Sequence, residues 1–469
     1  MAKPTLRKVA TLSHFVARAM KAIAPAAADE EREVRFEAIC AKPFTRERIR
    51  ERLCGVRESV VLSIALRELR RELMLALIGR NASGACGYDE VVATMTCFAE
   101  EAIRVAVSVH ARELAERWGV PMSAEGVPQD LLVVGMGKLG GAELNVSSDI
   151  DLIFLYGEDG ETRPTPEFPN VRRSVTTDEF YSRLARRIIP ALNDVEGAGF
   201  VFRVDMRLRP NGDAGPIVCS GDMLEEYLYT QGRDWERFAW LKGRIVSVPV
   251  FSSPEQFETE AAYVRSLVQP FVFRKYLDFN AISSLTKLHE LVRAETDRRE
   301  QARSREGCNV KLGRGGIREI EFITQTQQVI RGGRDVKLRG RSTLPMLEAL
   351  AAAGALDAAT AGRLAEDYVF LRDVEHALQY VDDQQTQWLP REGETLERAA
   401  GLLGLEPAEL WRRIEVIREE VARTFDGIFH VNERKADARD ENAWPLGWAQ
   451  GGARSVELLD GLFRRLGYG

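Results

Sequence analysis

The chain has 469 residues, with 65 Lys and Arg against 71 Asp and Glu and a hydrophobic content of 45%. This is the composition of an ordinary soluble globular protein whose core is large enough to need no disulfide or metal staple. The net charge of −6 argues against a protein that mainly grips a nucleic-acid backbone, because such domains are usually strongly basic. The longest apolar runs, such as residues 73–78, fall far short of the ~20 residues of a membrane span, so neither nucleic acid nor membrane is an expected partner.

The cysteines and the N-terminus point to the cytoplasm. The six cysteines include no Cys-x-x-Cys pair, which favours reduced thiols over zinc ligands or a disulfide framework. The first residues also lack the continuous apolar core of a secretion signal.

Residues 1–125 are predicted to be an N-terminal helical region. Leucines recur at spacings of three and four between Leu62 and Leu77, with charged residues between them. Gly79 is expected to end that helix.

From 126 to about 254 the pattern changes to that of a small α/β unit on a mixed or mostly antiparallel sheet. Strands are predicted for the Leu-Leu-Val-Val run after Asp130, for 149–156 and for 200–209, with short edge strands at 217–218 and 244–250. A helix is expected over 178–192.

Helical patterning returns for the rest of the chain. A segment at 255–340 contains a glycine-rich stretch at 311–316, and a helical bundle is expected at 341–436, including an amphipathic helix at 371–382. Residues 437–469 resemble a linker followed by the start of another helical region, as if the natural chain continued. The predicted fold class is therefore α+β and predominantly helical.

Residues 135–140 match the G-x-G-x-x-G pattern of dinucleotide-binding folds. The context of this match is poor. Only residues 139–146 are available for the helix that should follow, and two glycines interrupt them, so the unit is far shorter than the ~30 residues of a βαβ motif.

A different interpretation follows from the strand period at 149–154. Side chains alternate between the faces of a strand, so Asp149 and Asp151 project to one side and the apolar residues between them to the core. Two carboxylates one pleat apart repel each other unless a cation lies between them. Asp-x-Asp is therefore a natural ligand pair for Mg²⁺.

The strand predicted at 200–209 carries a comparable polar face, with Asp205 among arginines that include Arg207 and Arg209. A third metal ligand beside phosphate-binding cations would have this appearance. Either strand alone is better explained as a solvated sheet face with local ion pairs. Together with a glycine-rich loop whose backbone N–H groups can cradle phosphates, they favour the two-metal template for phosphoryl displacement.

Three segments then give a resemblance. They read GMGKLGGAELNVSSDIDLIF at 135–154, FRVDMRLRP at 202–210 and KLGRGGIREIEF at 311–322. Their order is similar to that of the nucleotidyltransferase superfamily, and the wording resembles the bifunctional glutamine synthetase adenylyltransferase/adenylyl-removing enzymes. The resemblance runs from about residue 10 to the end. It implies a nucleotidyltransferase sheet domain flanked by helical bundles.

Enzymes of that family have two such halves, and this chain has one Asp-x-Asp motif and resembles the N-terminal, adenylyl-removing half. The implied reaction is phosphorolysis, in which inorganic phosphate attacks the adenylyl-tyrosine of glutamine synthetase and releases ADP. ATP-dependent adenylylation of the same tyrosine remains an alternative because it would use the same residues. A non-catalytic docking module is a further alternative, although an intact trio of aspartates argues against it.

The resemblance also implies the roles of individual residues. Asp149, Asp151 and Asp205 would hold two Mg²⁺ ions, and Arg207 and Arg209 would act on phosphate beside them. Glu319 and Glu321 are auxiliary candidates. Nucleotide- or phosphate-binding candidates are Gly137, Lys138, Gly140, Gly141, Ser147, Ser148, Arg314 and Arg318.

The implied partners are glutamine synthetase as protein substrate, the PII signal protein, phosphate with ADP or ATP, and glutamine as an effector. The family often has a basic residue where this chain has Ala142. No cation is therefore expected at that position.

Overall fold

The computed structural model of the chain describes residues 3–171, 173–275 and 306–437, together with residues 290, 294 and 298. The predicted linker and the start of a further helical region beyond residue 437 lie outside these ranges. So does much of the helical pattern expected between 276 and 305.

Six helices form the N-terminal part of the described structure, as the periodicity predicts. They are α1 (Leu6–Leu12), α2 (His14–Ile23), α3 (Asp29–Cys40), α4 (Arg46–Arg52), α5 (Ser59–Ser83) and α6 (Tyr88–Trp118). The leucines between Leu62 and Leu77 are buried in the core, which confirms the apolar face of α5. Burial of such a face is the main source of helix stability in a protein.

The predicted end of α5 was wrong. Gly79 lies inside the helix, which continues to Ser83 and ends at Gly84 in a left-handed conformation. A Cβ at Gly79 would stand 2.3 Å from the Sγ of Cys40 on α3. The glycine therefore allows two helices to approach closely and does not terminate one.

A five-stranded mixed sheet forms the middle of the chain, together with a separate two-stranded ribbon. The elements in chain order are β1 (Val120–Met122), β2 (Leu132–Gly135), α7 (Gly137–Gly140), β3 (Ile150–Tyr156), β4 (Glu161–Arg163), α8 (Thr177–Asn193), β5 (Val204–Asp205), β6 (Val218–Ser220), α9 (Gly221–Thr230), α10 (Asp234–Leu241), β7 (Arg244–Ile245) and α11 (Pro254–Val272). The order along the main sheet is β5–β3–β2–β7, with β6 also paired to β3, whereas β1 pairs with β4. Strand β3 is antiparallel to β2 and parallel to β5 and β6.

The sheet is buried on both faces. Val133, Leu152 and Phe154 belong to the large core shared with α6 and α8. Leu132, Val134, Ile153 and Leu155 belong to a second core with α9, α10 and α11. The predicted alternation in β3 is confirmed, but its second face is polar only at its beginning, where Asp151 is the one charged residue of the strand.

The remaining described elements are mostly helical. They are β8 (Gly307–Asn309), α12 (Ile317–Arg331), α13 (Thr343–Ala352), α14 (Ala358–Asp382), β9 (Trp388–Pro390), α15 (Glu394–Leu403) and α16 (Pro407–Asp437). The ribbon of β8 and β9 was not predicted, because each strand has only three residues. Residues 371–381 of α14 are buried on nearly every side, so the expected amphipathic pattern was wrong there.

The predicted fold class is confirmed as a predominantly helical α+β structure with a small mixed sheet. Among the residues described, no helix combines the length and the apolar character that crossing a membrane requires.

Candidate active site

The glycine-rich turn after β2 brings the backbone against the first aspartate strand. Gly137 begins the single turn of α7 with φ of +50°, and a Cβ there would lie 2.6 Å from Asp151 Oδ2. A residue with a side chain would be strained by both the conformation and the contact. Because β2 and β3 are antiparallel and α7 has four residues, the turn does not have the βαβ geometry of a dinucleotide fold.

Three aspartates, here called the aspartate cluster (Asp149, Asp151 and Asp205), meet at one end of the sheet. Asp149 directly precedes β3, and Asp151 is the second residue of that strand. Asp205 in β5 stands beside Asp151 in the parallel register. Burial raises the pKa of Asp151 well above its ordinary value, and the negative charges of Asp149 and Asp205 raise it further.

Asp205 is already engaged by a cation of the chain. Both of its carboxylate oxygens accept hydrogen bonds from the Arg207 guanidinium, including Arg207 Nε at 2.8 and 3.0 Å, and Oδ1 also accepts from the Arg207 backbone N–H at 2.8 Å. These hydrogen bonds raise the pKa of Arg207 above its ordinary value. Within the described ranges, no three acidic, imidazole or thiol groups stand close enough together to hold a metal ion as they are.

The chemistry of the cluster nevertheless fits a divalent cation. Its ligands would be carboxylate oxygens, which Mg²⁺ prefers, and the charges of Asp149 and Asp205 add to burial in raising the pKa of Asp151. Asp205 would have to exchange Arg207 for the cation.

The strand predicted over 200–209 was wrong in length. Strand β5 has two residues and ends at Asp205, because the chain turns there, with Arg209 N donating to Met206 O at 3.3 Å. Arg207 therefore folds back on Asp205, and Arg209 donates to Met206 O at 2.8 Å and faces Asp213 at 3.6 Å. The expected common face of arginines does not form.

Lys138 points away from the aspartate cluster into a group of buried charges, here called the inner cluster (Lys138, Glu143, Lys242, Glu321 and Arg372). Its Nζ forms an ion pair with Glu321 and lies 3.1 Å from the Tyr368 hydroxyl. Lys242 pairs with Glu143 at 2.8 Å and lies 3.7 Å from Glu321. These contacts tie the glycine-rich turn to α12 and α14.

The pKa values within the inner cluster are shifted by burial and by the paired charges. Burial alone would raise the pKa of Glu321, but the ammonium groups of Lys138 and Lys242 lower it below its ordinary value. Burial lowers the pKa of Lys138, and the positive charge of Arg372 lowers it further.

The third sequence motif places its charged residues mainly in structural contacts. Arg314 forms an ion pair with Asp426 of α16 at 2.8 Å. Glu319 is buried, and its Oε2 accepts from the N–H of Gly315 at 3.0 Å in the turn that precedes α12. Arg318 lies in the first turn of the same helix, with its N–H donating to Lys311 O at 3.1 Å.

The serines before the Asp-x-Asp pair are both buried. Ser147 accepts hydrogen bonds from the Arg203 guanidinium at its carbonyl and, at 2.9 Å, at Oγ. Ser148 separates it from Asp149. Gly140 is the last residue of α7, and Gly141 follows it.

Sequence reasoning missed residues that contact or influence the aspartates. The positive charge of Lys311 lowers the pKa of Asp151, opposing the carboxylates, and its place at the start of the third motif was a signal. Gln385 donates to Asp149 Oδ1 at 3.1 Å. Nothing in the local sequence distinguishes Gln385 from other surface amides.

Comparisons with known proteins identify relatives of this chain. A family model described as glutamate-ammonia ligase adenylyltransferase matches residues 4–258, which include the aspartate cluster. A second model, described as GlnD PII-uridylyltransferase, matches residues 286–435, which include α12 and α14.

Curated relatives carry a consistent description. The chain is 49% identical over 381 residues to a protein of Ralstonia nicotianae, which covers 78% of this chain and 39% of that protein. It is 43% identical over 456 residues to a protein of Burkholderia mallei, covering 96% of this chain and 48% of that protein. Both are named bifunctional glutamine synthetase adenylyltransferase/adenylyl-removing enzyme. The chain thus spans less than half the length of these relatives.

Proposed function

This chain belongs to the glutamate-ammonia ligase adenylyltransferase family, and we propose that it removes AMP from the adenylyl-tyrosine of glutamine synthetase by Mg²⁺-dependent phosphorolysis. Inorganic phosphate and the modified enzyme would give ADP and the free tyrosine. The observation that carries the proposal is the aspartate cluster itself, in which Asp205 stands in register beside Asp151 next to the glycine-rich turn.

Asp149, Asp151 and Asp205 would hold the metal, as two Mg²⁺ ions. When bound, Mg²⁺ supplies charge neutralisation for the phosphates and for the departing phenolate. The raised pKa of Asp151 supports this assignment, because a cation would offset both causes of the shift, the burial of the carboxylate and the repulsion from Asp149 and Asp205.

Arg207 would hold the attacking phosphate. Its guanidinium already binds a carboxylate through two N–H groups, and the same fork suits a phosphate. With Asp205 holding a metal, Arg207 would be free for that role. Arg209 would add positive charge nearby from the turn that follows β5.

The reaction needs cations more than a general base. An oxygen of phosphate forms the new bond to the adenylyl phosphorus, and the bond from that phosphorus to the tyrosine oxygen breaks. The electron pair stays on the tyrosine oxygen, which takes up the proton of hydrogenphosphate, since the phenol has a pKa of about 10. Atoms and charge balance without a further reactant.

The protein substrate is proposed from the names of the relatives. The PII signal protein is a proposed partner because the second matching model is named for a PII-modifying enzyme. Glutamine as an effector stays a prediction from the sequence.

The test is to incubate the chain with adenylylated glutamine synthetase, Mg²⁺ and radiolabelled phosphate. We expect labelled ADP, and a loss of roughly 100- to 1000-fold in its formation in the double variant Asp149→Asn with Asp151→Asn. Asp178→Asn, an exposed aspartate of α8, is the matched control and should act like the natural chain.

Two other outcomes would replace the proposal. In a parallel assay with labelled ATP, transfer of label to unmodified glutamine synthetase, with no ADP formed from phosphate, would mean that this site adenylylates glutamine synthetase. The absence of both products would favour a docking module.

A further inference from the structure

Helix α14 lies along the loop that leads to Asp149, and three of its residues contact that loop through hydrogen-bonding groups. Arg372 Nη2 donates to the carbonyl of Glu143 at 2.7 Å, and the same guanidinium donates to Asn145 Oδ1. His376 Nε2 lies 3.0 Å from that Asn145 oxygen.

The contacts continue in the same direction. The backbone N–H of Ser147 donates to Gln379 Oε1 at 3.2 Å. Just beyond the end of α14, Gln385 reaches Asp149 Oδ1 at 3.1 Å. The partners are thus residues 372, 376, 379 and 385 on one side and 143, 145, 147 and 149 on the other. The two segments run parallel, with sequence separations of 227 to 236 residues.

The spacing explains how one helix can contact every second residue of the loop. Positions 372, 376 and 379 share a helix face, because they are separated by four and three residues. The intervening loop residues Leu144 and Val146 point into the core, where both are buried. The loop is therefore held by apolar packing on one side and by hydrogen bonds from α14 on the other.

The hydrogen bonds between α14 and the loop are shielded from water at most of their positions. Arg372 and His376 are 0% exposed, Gln379 is 1% exposed, and Asn145 and Ser147 are equally buried. A hydrogen-bonding group left without its partner in such a place costs its full desolvation energy, so alternative positions of the loop are disfavoured. Glu375, also 0% exposed, lies 3.4 Å from Arg372 and balances its charge.

We propose that α14, together with Gln385 just beyond its end, acts as a template that sets the position of Ser147 and Asp149, and that Gln379 is a positioning residue of the aspartate cluster. This inference rests on the proposed function for its meaning in catalysis. The geometric part, that Gln379 holds the loop in the conformation that binds a divalent cation, is testable without turnover.

Gln379→Met is the informative variant. It keeps the length of the side chain and removes the acceptor of the Ser147 N–H, and unlike a change at Arg372 it leaves no buried charge unpaired. Leu378→Ala is the matched control, because Leu378 is a buried neighbour on the same helix whose side chain packs in the core. It should lower the thermal midpoint without releasing the loop.

Two measurements on the whole chain detect the effect of Gln379→Met on the loop. Hydrogen–deuterium exchange of a peptide covering residues 143–149 should be about tenfold faster in Gln379→Met, the factor expected for one lost buried hydrogen bond. Binding of Mn²⁺, used as the probe cation, should weaken by roughly three- to tenfold as the loop samples other positions. The control should show neither change at a temperature well below its own midpoint.

The outcomes test the positioning role and the proposed function separately. Unchanged exchange, or faster exchange with unchanged Mn²⁺ affinity, would overturn the positioning role, as would an absence of Mn²⁺ binding in the natural chain. A natural chain that binds Mn²⁺ but forms no ADP would overturn the proposed function alone. In that case the exchange and metal-binding data still decide the role of Gln379.

Discussion

The two sides of the glycine-rich loop carry acidic groups in opposite electrostatic settings. In the inner cluster, Glu143 and Glu321 are buried, yet their pKa values are lowered because Lys138 and Lys242 surround them. In the aspartate cluster, burial raises the pKa of Asp151, and the two neighbouring carboxylates raise it further. Burial acts in the same direction on both sides, so the sign of the shift is decided by the partners.

This difference distinguishes a group of charges that stabilises the fold from a group that is suited to bind a cation. A buried carboxylate with its own cations is part of the framework, and removing a partner costs stability. Carboxylates crowded against each other are costly to keep ionised, and such an arrangement is typical of sites that receive a cation from outside.

The largest expected effect is on stability, from a change in the inner cluster. Glu321→Gln leaves Lys138 without its closest counter-charge in a buried place, and we expect the free energy of unfolding to fall by about 3–5 kcal/mol. Urea unfolding measures this directly. The double variant Lys138→Met with Glu321→Leu should regain much of the loss. A single variant as stable as the natural chain would show that the inner cluster is not structural.

A second prediction concerns a crowded carboxylate outside the site. Burial, assisted by the charge of Asp130, raises the pKa of Glu260 to about 7. The folded chain then holds a proton that the unfolded chain releases at lower pH, so stability should fall as pH rises from about 4.5 to 7. Since one pKa unit corresponds to about 1.4 kcal/mol, Glu260→Gln should gain roughly 1–3 kcal/mol over the natural chain at pH 8.

Thermal or urea unfolding of the natural chain and of Glu260→Gln from pH 4.5 to 8 tests this prediction. The quantity compared is the difference in unfolding free energy between the two chains at each pH. A difference that does not change with pH would contradict the shift. Such a result would also weaken the use of raised pKa values to find crowded carboxylates.

The third prediction distinguishes among the arginines nominated from the sequence. Arg207→Ala should raise the KM for phosphate by about tenfold, the loss of roughly one charge-assisted hydrogen bond. Arg314→Ala removes an ion pair with Asp426 on the far helix and should leave that KM nearly unchanged. Steady-state kinetics of ADP formation decide the matter, and the reverse ranking would place the phosphate near α12.

The smallest effect is expected at the centre of the aspartate cluster. Without divalent cations, Asp151→Asn should leave the free energy of unfolding unchanged or raise it by up to about 1 kcal/mol, because it removes a repelled charge. The measurement is urea unfolding in the presence of EDTA. If this variant were as destabilising as Glu321→Gln, the contrast between the two sides of the loop would fail.

Local periodicity was a sound guide to the elements that place the site. The apolar face of α5, the strand around Asp151 and helix α8 all follow from spacings of three to four or of two residues. The errors came where long-range contacts override local signals. Gly79 is a close-packing residue and not a helix end, and the predicted third strand is cut short by a turn after Asp205.

The sequence by itself determined the membership of this chain in its family, and it predicted the pairing of Asp149 with Asp151 after a glycine-rich loop. Only the tertiary structure decided that Lys138 turns inward to Glu321, that Arg207 closes on Asp205, and that α14 holds the loop from more than 220 residues away. The reason is physical. Backbone geometry sets which side of an element a residue occupies, whereas the partner of a charged side chain is chosen by packing between segments that the sequence does not place side by side.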